Sequence, residues 1–218
     1  MPGGAVITLA IDTAAAASVA LVDSNGEVRA QRTTFSARKH AEFVGPAIRE
    51  ITQDVKPQRV IVGVGPGPFT GLRAGIATGI GYALGLGVPI YGVRSHDALA
   101  FRAAAHGITG DVTVATDARR KEVYATTYRL GTTVSVIDGP RVVLPADLTP
   151  AATRIGRGFV LYAQTLGNPA RTEDEFTEPT AGDLGLCAQA EPGNLEELGA
   201  LLDTSPLYLR EPDAQPRQ

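Results

Sequence analysis

Residues 59–93, RVIVGVGPGPFTGLRAGIATGIGYALGLGVPIYGV, decide the fold. Val60, Ile61, Val62 and Val64 form a short continuous apolar run, and Val88, Ile90, Tyr91 and Val93 form a second. Runs of this kind read as strands buried on both faces, and two of them joined through a helix lie parallel in one sheet. The spacing between them predicts a helix capped by the Thr70 hydroxyl and stopped at Gly87, ahead of Pro89. Leu72, Ile76, Ile80 and Leu84 recur every fourth residue as an apolar row suited to a core. Gly71, Gly75 and Gly79 make a second row beside it, which invites close backbone contact.

Each interior glycine costs roughly 1 kcal/mol against alanine, so Gly75, Gly79, Gly81 and Gly85 weaken the isolated helix by about 4 kcal/mol. Packing has to offset that. No charged residue lies between Ala74 and Val93, whereas a surface helix normally presents a charged stripe to water. Both faces are therefore expected to be covered, one of them by another polypeptide. A membrane span is the rival reading of an uncharged stretch containing Gly-x-x-x-Gly. It fits less well, because the glycines dilute the hydrophobicity, Pro89 interrupts, and strand residues follow where basic anchors belong.

Working outward, 218 residues that are 44% hydrophobic can bury a sizeable core, and two domains are expected, 1–108 and 109–218. A net charge of −3 supplies no global field for nucleic acid or an anionic membrane, so RNA contact needs a local patch or a partner. Cys187 is the sole cysteine, which excludes an internal disulfide and a thiolate metal cluster and fits a reducing compartment. MPGGAVITLAIDT lacks a basic region and Asp12 cuts its apolar run short, so a cytoplasmic protein is expected.

Ahead of the central unit, Val6–Ile11 reads as a strand, and Ser18–Val22 with Glu27–Thr33 as a hairpin turning at Asn25-Gly26. A first helix follows, capped by Ser36, with Ala41, Val44, Ile48, Ile51 and Val55 as its stripe and Pro46 bending it. Beyond Val93 a helix is expected from Ser95 or His96 to Ala105, then strands at 111–116, 122–129, 134–137 and 141–144. Residues 145–179 are loop-rich, with a short strand near Ile155 and a helical turn through Tyr162. Thr180 with Asp183 and Asn194 with Glu197 have capping-box spacing and predict two C-terminal helices, before an extended PLYLR piece at 206–210. LAIDTAAAASVALVDSNGEV and VATDARRKEVYATTYRLGTTV echo one another, strand, aspartate, turn and strand, with Asp12 matching Asp117. A duplicated fold would face these two hairpins across a cleft.

The inventory of chemical groups is thin. A strand, a Gly-rich loop and a helix N-terminus are the ingredients of an anion cradle, which makes Gly65, Gly67, Thr70, Gly71 and Arg73 candidates for a weak nucleotide site or a rigid structural loop. Pro66 and Pro68 each remove an amide donor, and no P-loop lysine follows Gly71. Asp12 and Thr13 occupy the place where an actin-like ATPase or sugar kinase grips phosphate or metal, but four alanines follow. His40, His96 and His106 show no metalloprotease spacing, no Gly-x-Ser-x-Gly elbow exists, and Arg119, Arg120 and Lys121 read as a solvated turn.

GVGPGPFTGLRAGIATGIGYALG, followed by VP and a Ser-His-Asp-Ala-Leu helix start, closely resembles the TsaB (YeaZ) family. IDTA, KHAEFVGPAI, ATDARRKEVYA and PLYLR extend the resemblance over nearly the whole chain. It implies an α/β fold of the ASKHA (actin-like ATPase) type with two βββαβα-related domains. It further implies a non-catalytic subunit, without a cofactor, in the formation of threonylcarbamoyladenosine beside the anticodon of ANN-reading tRNAs. The chemistry would belong to a TsaD-like paralogue, whose His-x-x-x-His pair corresponds to Ser95 and Leu99 here. By the same resemblance, His40, Phe43, Val44, Ala47, Leu72, Gly75, Ile76, Gly79 and Ile80 are expected to face that partner, with a TsaE-like ATPase at the junction and tRNA reached only through the complex. Alone, the chain is expected either as a monomer or as a homodimer. The alternative from a different class is a stand-alone ATPase or kinase using Asp12, Asp117 and the inter-domain cleft.

Overall fold

The computed structural model describes residues 5–35, 40–132, 134–189 and 203–210. Three antiparallel strands come first, β1 (Ile7–Asp12), β2 (Ala17–Asp23) and β3 (Val28–Thr34), followed by α1 (His40–Ile51). The central stretch then folds as β4 (Arg59–Gly63), α2 (Phe69–Leu86) and β5 (Ile90–Val93), and α3 (Ser95–Ala105) closes the half. The sheet order is β3-β2-β1-β4-β5, with β4 parallel to β1 and to β5, as two strands linked through a helix require.

The second half repeats this plan in shortened form. Strands β6 (Gly110–Asp117), β7 (Val123–Leu130), β8 (Val134–Val143) and β9 (Thr153–Ile155) form a sheet ordered β8-β7-β6-β9, with β9 parallel to β6. The position of α1 is taken by a single 3₁₀ turn at Pro145–Asp147. Short helices α4 (Arg157–Leu161), α5 (Ala163–Leu166) and α6 (Asp174–Thr177) follow, and then α7 (Ala181–Cys187). The internal echo read from the two aspartate hairpins is thus a real duplication of strand order.

Helices layer both sheets. Residues of α1 and α2, among them Val44, Ile48, Leu72 and Ile76, share a core with Leu9, Ile11, Val60 and Val62 on one face of the first sheet. On its other face Ala181, Leu184 and Ala98 pack against Ala10, Ala20, Val22 and Ile61. The second half therefore returns a helix, α7, to the first sheet. The opposite side of α3 and Cys187 pack with Val112, Val114, Tyr128 and Ile155, so α3 and α7 lie between the two sheets. His96 fixes that layer: it is buried, with Nδ1 2.9 Å from Thr126 Oγ1 and Nε2 2.8 Å from Thr116 Oγ1. Burial holds its pKa down near 3, so it is a neutral packing group.

Several expectations need correction. Helix α2 begins at Phe69 with Pro68 as its N-cap and no side-chain cap, so Thr70 lies inside the first turn. The Leu72–Ile76–Ile80–Leu84 row does not stay in the core. Steps of four residues drift by roughly 40° around a helix of 3.6 residues per turn, so Leu84 lies about 120° from Leu72, and it is 78% exposed. The buried stripe is Leu72, Gly75, Ile76, Gly79 and Ala83. The glycine row thus faces the chain's own sheet: a Cβ at Gly75 would collide with Thr13 Oγ1, and one at Gly79 with Val62 Cγ1. The strands expected at 134–137 and 141–144 are one continuous strand whose register slips between Ala125 and Tyr128. Val55 lies beyond the end of α1 and is exposed. Ser36 and the Asn194–Glu197 capping box lie outside the described residues, whereas Thr180 does cap α7, its hydroxyl accepting from the Asp183 amide at 3.3 Å.

Candidate functional site

The two aspartate hairpins do face one another across a cleft of about 490 Å³. One wall is the alanine turn after β1, Thr13–Ala16, with the first turn of α2 supplying Pro68, Thr70, Gly71 and Ala74. Asp117 and Arg119 from the β6–β7 turn, Arg157 of α4 and Glu178 close the other side, and Phe35 stands at the edge.

The loop joining β4 to α2 is where everything meets. The Gly65 carbonyl accepts from the Ser95 amide at 2.7 Å, and the Val64 carbonyl from the Leu207 amide at 2.7 Å. Tyr124 of β7 donates its hydroxyl to the Gly67 carbonyl at 3.3 Å. A Cβ at Gly67 would lie 2.6 Å from the Ala14 carbonyl oxygen, so only glycine lets this loop close on the alanine turn. Leu207–Arg210 continues across the same junction. Tyr208 stacks on Phe69 with centroids 4.8 Å apart and its hydroxyl receives the Arg73 Nε at 2.7 Å. Arg210 reaches over to Glu122 on the β6–β7 turn. Gly65 and Gly67 are engaged in these backbone contacts, and Arg73 lies over the Phe69 ring at 3.8 Å and does not line the cleft.

Magnesium with a nucleoside triphosphate, the ligand an actin-like fold implies, does not fit these residues. Asp12 is fully buried, its Oδ1 accepts the Ala14 amide at 2.8 Å, and burial raises its pKa to about 6. Its Oδ2 has no hydrogen-bond partner and faces Gly63 and Ser95 rather than the cleft. The Thr13 hydroxyl donates to the Gly71 carbonyl at 2.8 Å and is unavailable to a phosphate. Asp117 does line the cleft, but Arg119 holds it at 2.9 Å. Ser95 and Leu99 are both buried, Leu99 in an apolar core. Among the described residues no group of three His, Cys, Asp or Glu is placed to hold a metal.

Three groups at the cleft are not singled out as site residues by the sequence, where one of them, Arg119, reads as part of a solvated turn. Arg119, Arg120 and Lys121 are consecutive non-glycine residues at positive φ, 62°, 53° and 64°, a tight tip that presents Arg119 to the cleft. Arg157 approaches Glu178 at 3.6 Å. The Glu178 side chain is only 9% exposed, its Oε2 lacks a partner, and burial raises its pKa to about 7 despite Arg157. Nothing in the loop-rich stretch marks Arg157 or Glu178, since Arg157 opens a helix of only five residues, too short to show a period, and Glu178 lies between α6 and α7.

A second surface lies on the outer side of α1 and α2. Gly45, Ile48, Arg49, Thr52, Thr78 and Tyr82 line an apolar groove of about 400 Å³ between these helices. Of the residues expected to meet a partner, Val44, Ala47, Leu72, Gly75, Ile76 and Gly79 are buried within this chain, while Phe43 and Ile80 are partly exposed. The side chain of His40 lies outside the described residues. The outward face of α2 is instead Arg73, Ala77, Gly81, Leu84 and Gly85. No helix among the described residues is long and apolar enough to cross a membrane.

Residues 31–163 match the family model described as TsaD: tRNA N6-adenosine threonylcarbamoyltransferase. An uncharacterized protein of Mycobacterium leprae is 38% identical over 219 residues; these span 96% of this chain and 56% of that protein's length. The Bacillus subtilis tRNA threonylcarbamoyladenosine biosynthesis protein TsaB is 29% identical over 226 residues, covering 95% of both chains. The solved structure of YeaZ from Pseudomonas aeruginosa superimposes with a TM-score of 0.73 at 28% identity, over 94% of this chain and 100% of that one. The duplicated sheet, the sealed β1 aspartate and these likenesses agree, and the chain belongs to the TsaB/YeaZ family, with a fold of the actin-like ATPase type.

Proposed function

We propose that this chain takes part in tRNA threonylcarbamoyladenosine biosynthesis as a non-catalytic scaffold and activator. It pairs with a TsaD-like catalytic paralogue through the outer face of α1 and α2, and a TsaE-like ATPase joins at the junction. The TsaB names of its relatives support the pathway. The observation that carries the role is the outward face of α2, where Leu84 is 78% exposed on a helix with no charge after Arg73, beside an apolar groove. An isolated surface helix gains nothing from such a face, whereas a partner that covers it gains burial.

The reading as a stand-alone ATPase or kinase has less support, because Asp12 is buried off the cleft and Thr13, though it lines the cleft, spends its hydroxyl on the Gly71 carbonyl. Reconstitution tests the scaffold. The TsaD-like paralogue, ATP, threonylcarbamoyl-AMP and tRNA are combined with and without this chain, and product is counted on the tRNA. Equal product without the chain refutes the proposal.

A further inference from the structure

The tip of the β6–β7 turn holds a conformation that its residues do not favour. Arg119, Arg120 and Lys121 follow one another at φ of 62°, 53° and 64°, a left-handed turn built from three exposed cations. A Cβ resists this region, which glycine adopts freely and asparagine or aspartate with the help of a short local hydrogen bond. Backbone contacts pin the turn: the Ala118 amide donates to the Glu122 carbonyl at 3.1 Å, the Glu122 amide to the Arg119 carbonyl at 2.9 Å, and the Arg119 amide to Asp117 Oδ1 at 2.8 Å. Glycines would reverse the chain here with less strain, so reversal alone does not account for three cations. Strain kept at an exposed tip points to a use outside the fold. Further groups adjoin it. Arg210 lies at its foot, donating to the Ala118 carbonyl at 3.5 Å and to Glu122. Two residues earlier, Tyr208 stacks on Phe69 yet stays 37% exposed, and Arg73 lies over the same Phe69 ring.

We propose that this tip, with Arg210 and the exposed part of Tyr208 beside it, touches the tRNA directly when the chain sits in its complex. The inference rests on the tRNA-modification role proposed above. Cations set among stacked aromatic rings suit a polyanion that also offers unpaired bases, whereas an acidic protein face needs the cations alone. The tip is the local patch that a chain of net charge −3 requires, since its overall field does not draw in nucleic acid. Contacts of this kind go to phosphates: they fix where the tRNA lies and read no sequence. Arg119 keeps donors beyond its contact with Asp117, its side chain being 59% exposed, and Lys121 forms no ion pair among the described residues. Lys121 is therefore the residue whose removal disturbs the fold least.

Fluorescence anisotropy with labelled tRNA tests the contact, on the complex with the TsaD-like subunit and on each subunit alone, across salt from about 0.05 to 0.2 M. Lys121→Gly removes a charge and a strained residue together. Its Tm should hold or rise, by up to about 4 °C. The complex carrying it should bind tRNA about fivefold more weakly near 0.1 M salt, with the slope of log K against log salt reduced by about 0.7–0.9, the effect of one released counterion. Lys121→Arg should keep both affinity and slope, and calorimetry should find the two subunits pairing equally well in either variant. Unaltered affinity and slope in Lys121→Gly overturn the contact, as does a complex that binds tRNA no more tightly than the paralogue alone. A lowered Tm overturns it by placing the lysine in the fold. Weaker subunit pairing at unchanged tRNA affinity overturns RNA in favour of an acidic protein face. Binding is read apart from product: the contact can fail while the chain is still required for modification, whereas product formed without the chain removes the scaffold and the contact together.

Discussion

Replacing Leu84 with aspartate separates what holds this chain together from what holds it to a partner. In the free chain Leu84 is 78% exposed, so no core contact is lost. Leu84→Asp should then change folding stability by no more than about 0.5 kcal/mol. In a complex that covers the outer face of α2, burial of the leucine is worth about 1.5–3 kcal/mol, and a carboxylate trapped there without a partner adds roughly 1–3 kcal/mol. A loss of about 3 kcal/mol corresponds to roughly 100-fold in Kd. Gly79→Leu is the contrasting change, since its Cβ meets Val62 Cγ1 inside the sheet packing. That overpacking should cost the fold itself about 1–3 kcal/mol or more. Thermal scans of each variant and calorimetric titration against the TsaD-like subunit supply both numbers. A Leu84→Asp chain that binds within about threefold of the unaltered one (roughly 0.6 kcal/mol) refutes the assignment of the face. So does a Tm lowered by about 5 °C, more than 1 kcal/mol for a chain of this length.

Three further outcomes are expected. His96→Leu removes two buried hydrogen bonds and orphans the Thr116 and Thr126 hydroxyls, which should lower stability at pH 7 by about 2–4 kcal/mol in urea unfolding. Because the folded pKa of His96 lies near 3, below the ordinary 6.5, the unfolded chain binds the extra proton; stability is lost as pH falls from 6.5 toward 3, and the variant should lack that loss. Glu178 behaves oppositely: its folded pKa of about 7 lies above the ordinary 4.5, so the native state binds more protons and stability falls as pH rises through that window. Glu178→Gln should therefore raise stability at pH 8 by up to about 3 kcal/mol and leave it unchanged at pH 4, as read by Tm across a pH series. Tyr208→Ala removes the stack on Phe69 and the partner of Arg73 Nε, and should cost about 1–2 kcal/mol by the same assay.

The strand, helix and strand of residues 59–93 were legible because Val60–Val62 and Ile90–Val93 are continuous apolar runs that only a doubly covered sheet accommodates. The echo around Asp12 and Asp117 was legible because each hairpin repeats locally. The rotation of α2 about its axis was not. Its apolar and small residues alternate around the whole circumference, so the sequence offers two plausible inward rows, and Thr13 and Val62, which decide between them, lie far away in the chain. Arg157 and Glu178 escaped for a related reason: a five-residue helix and the segment before α7 deliver them to the cleft, and both are too short for a period to announce a direction.

Helix α7 also bears on how the chain is made. Until residues 181–188 have left the ribosome, the side of the first sheet that carries Ala10, Ala20, Val22 and Ile61 has only α3, through Ala98, to cover it, with Ala181 and Leu184 still to be synthesised. Nascent chains halted near residue 150 should accordingly be held by chaperones and cleaved readily by proteases, and resistance should arrive in a single step once α7 can reach back across more than a hundred and fifty positions to Ser18, whose hydroxyl accepts the Ala181 amide at 3.0 Å.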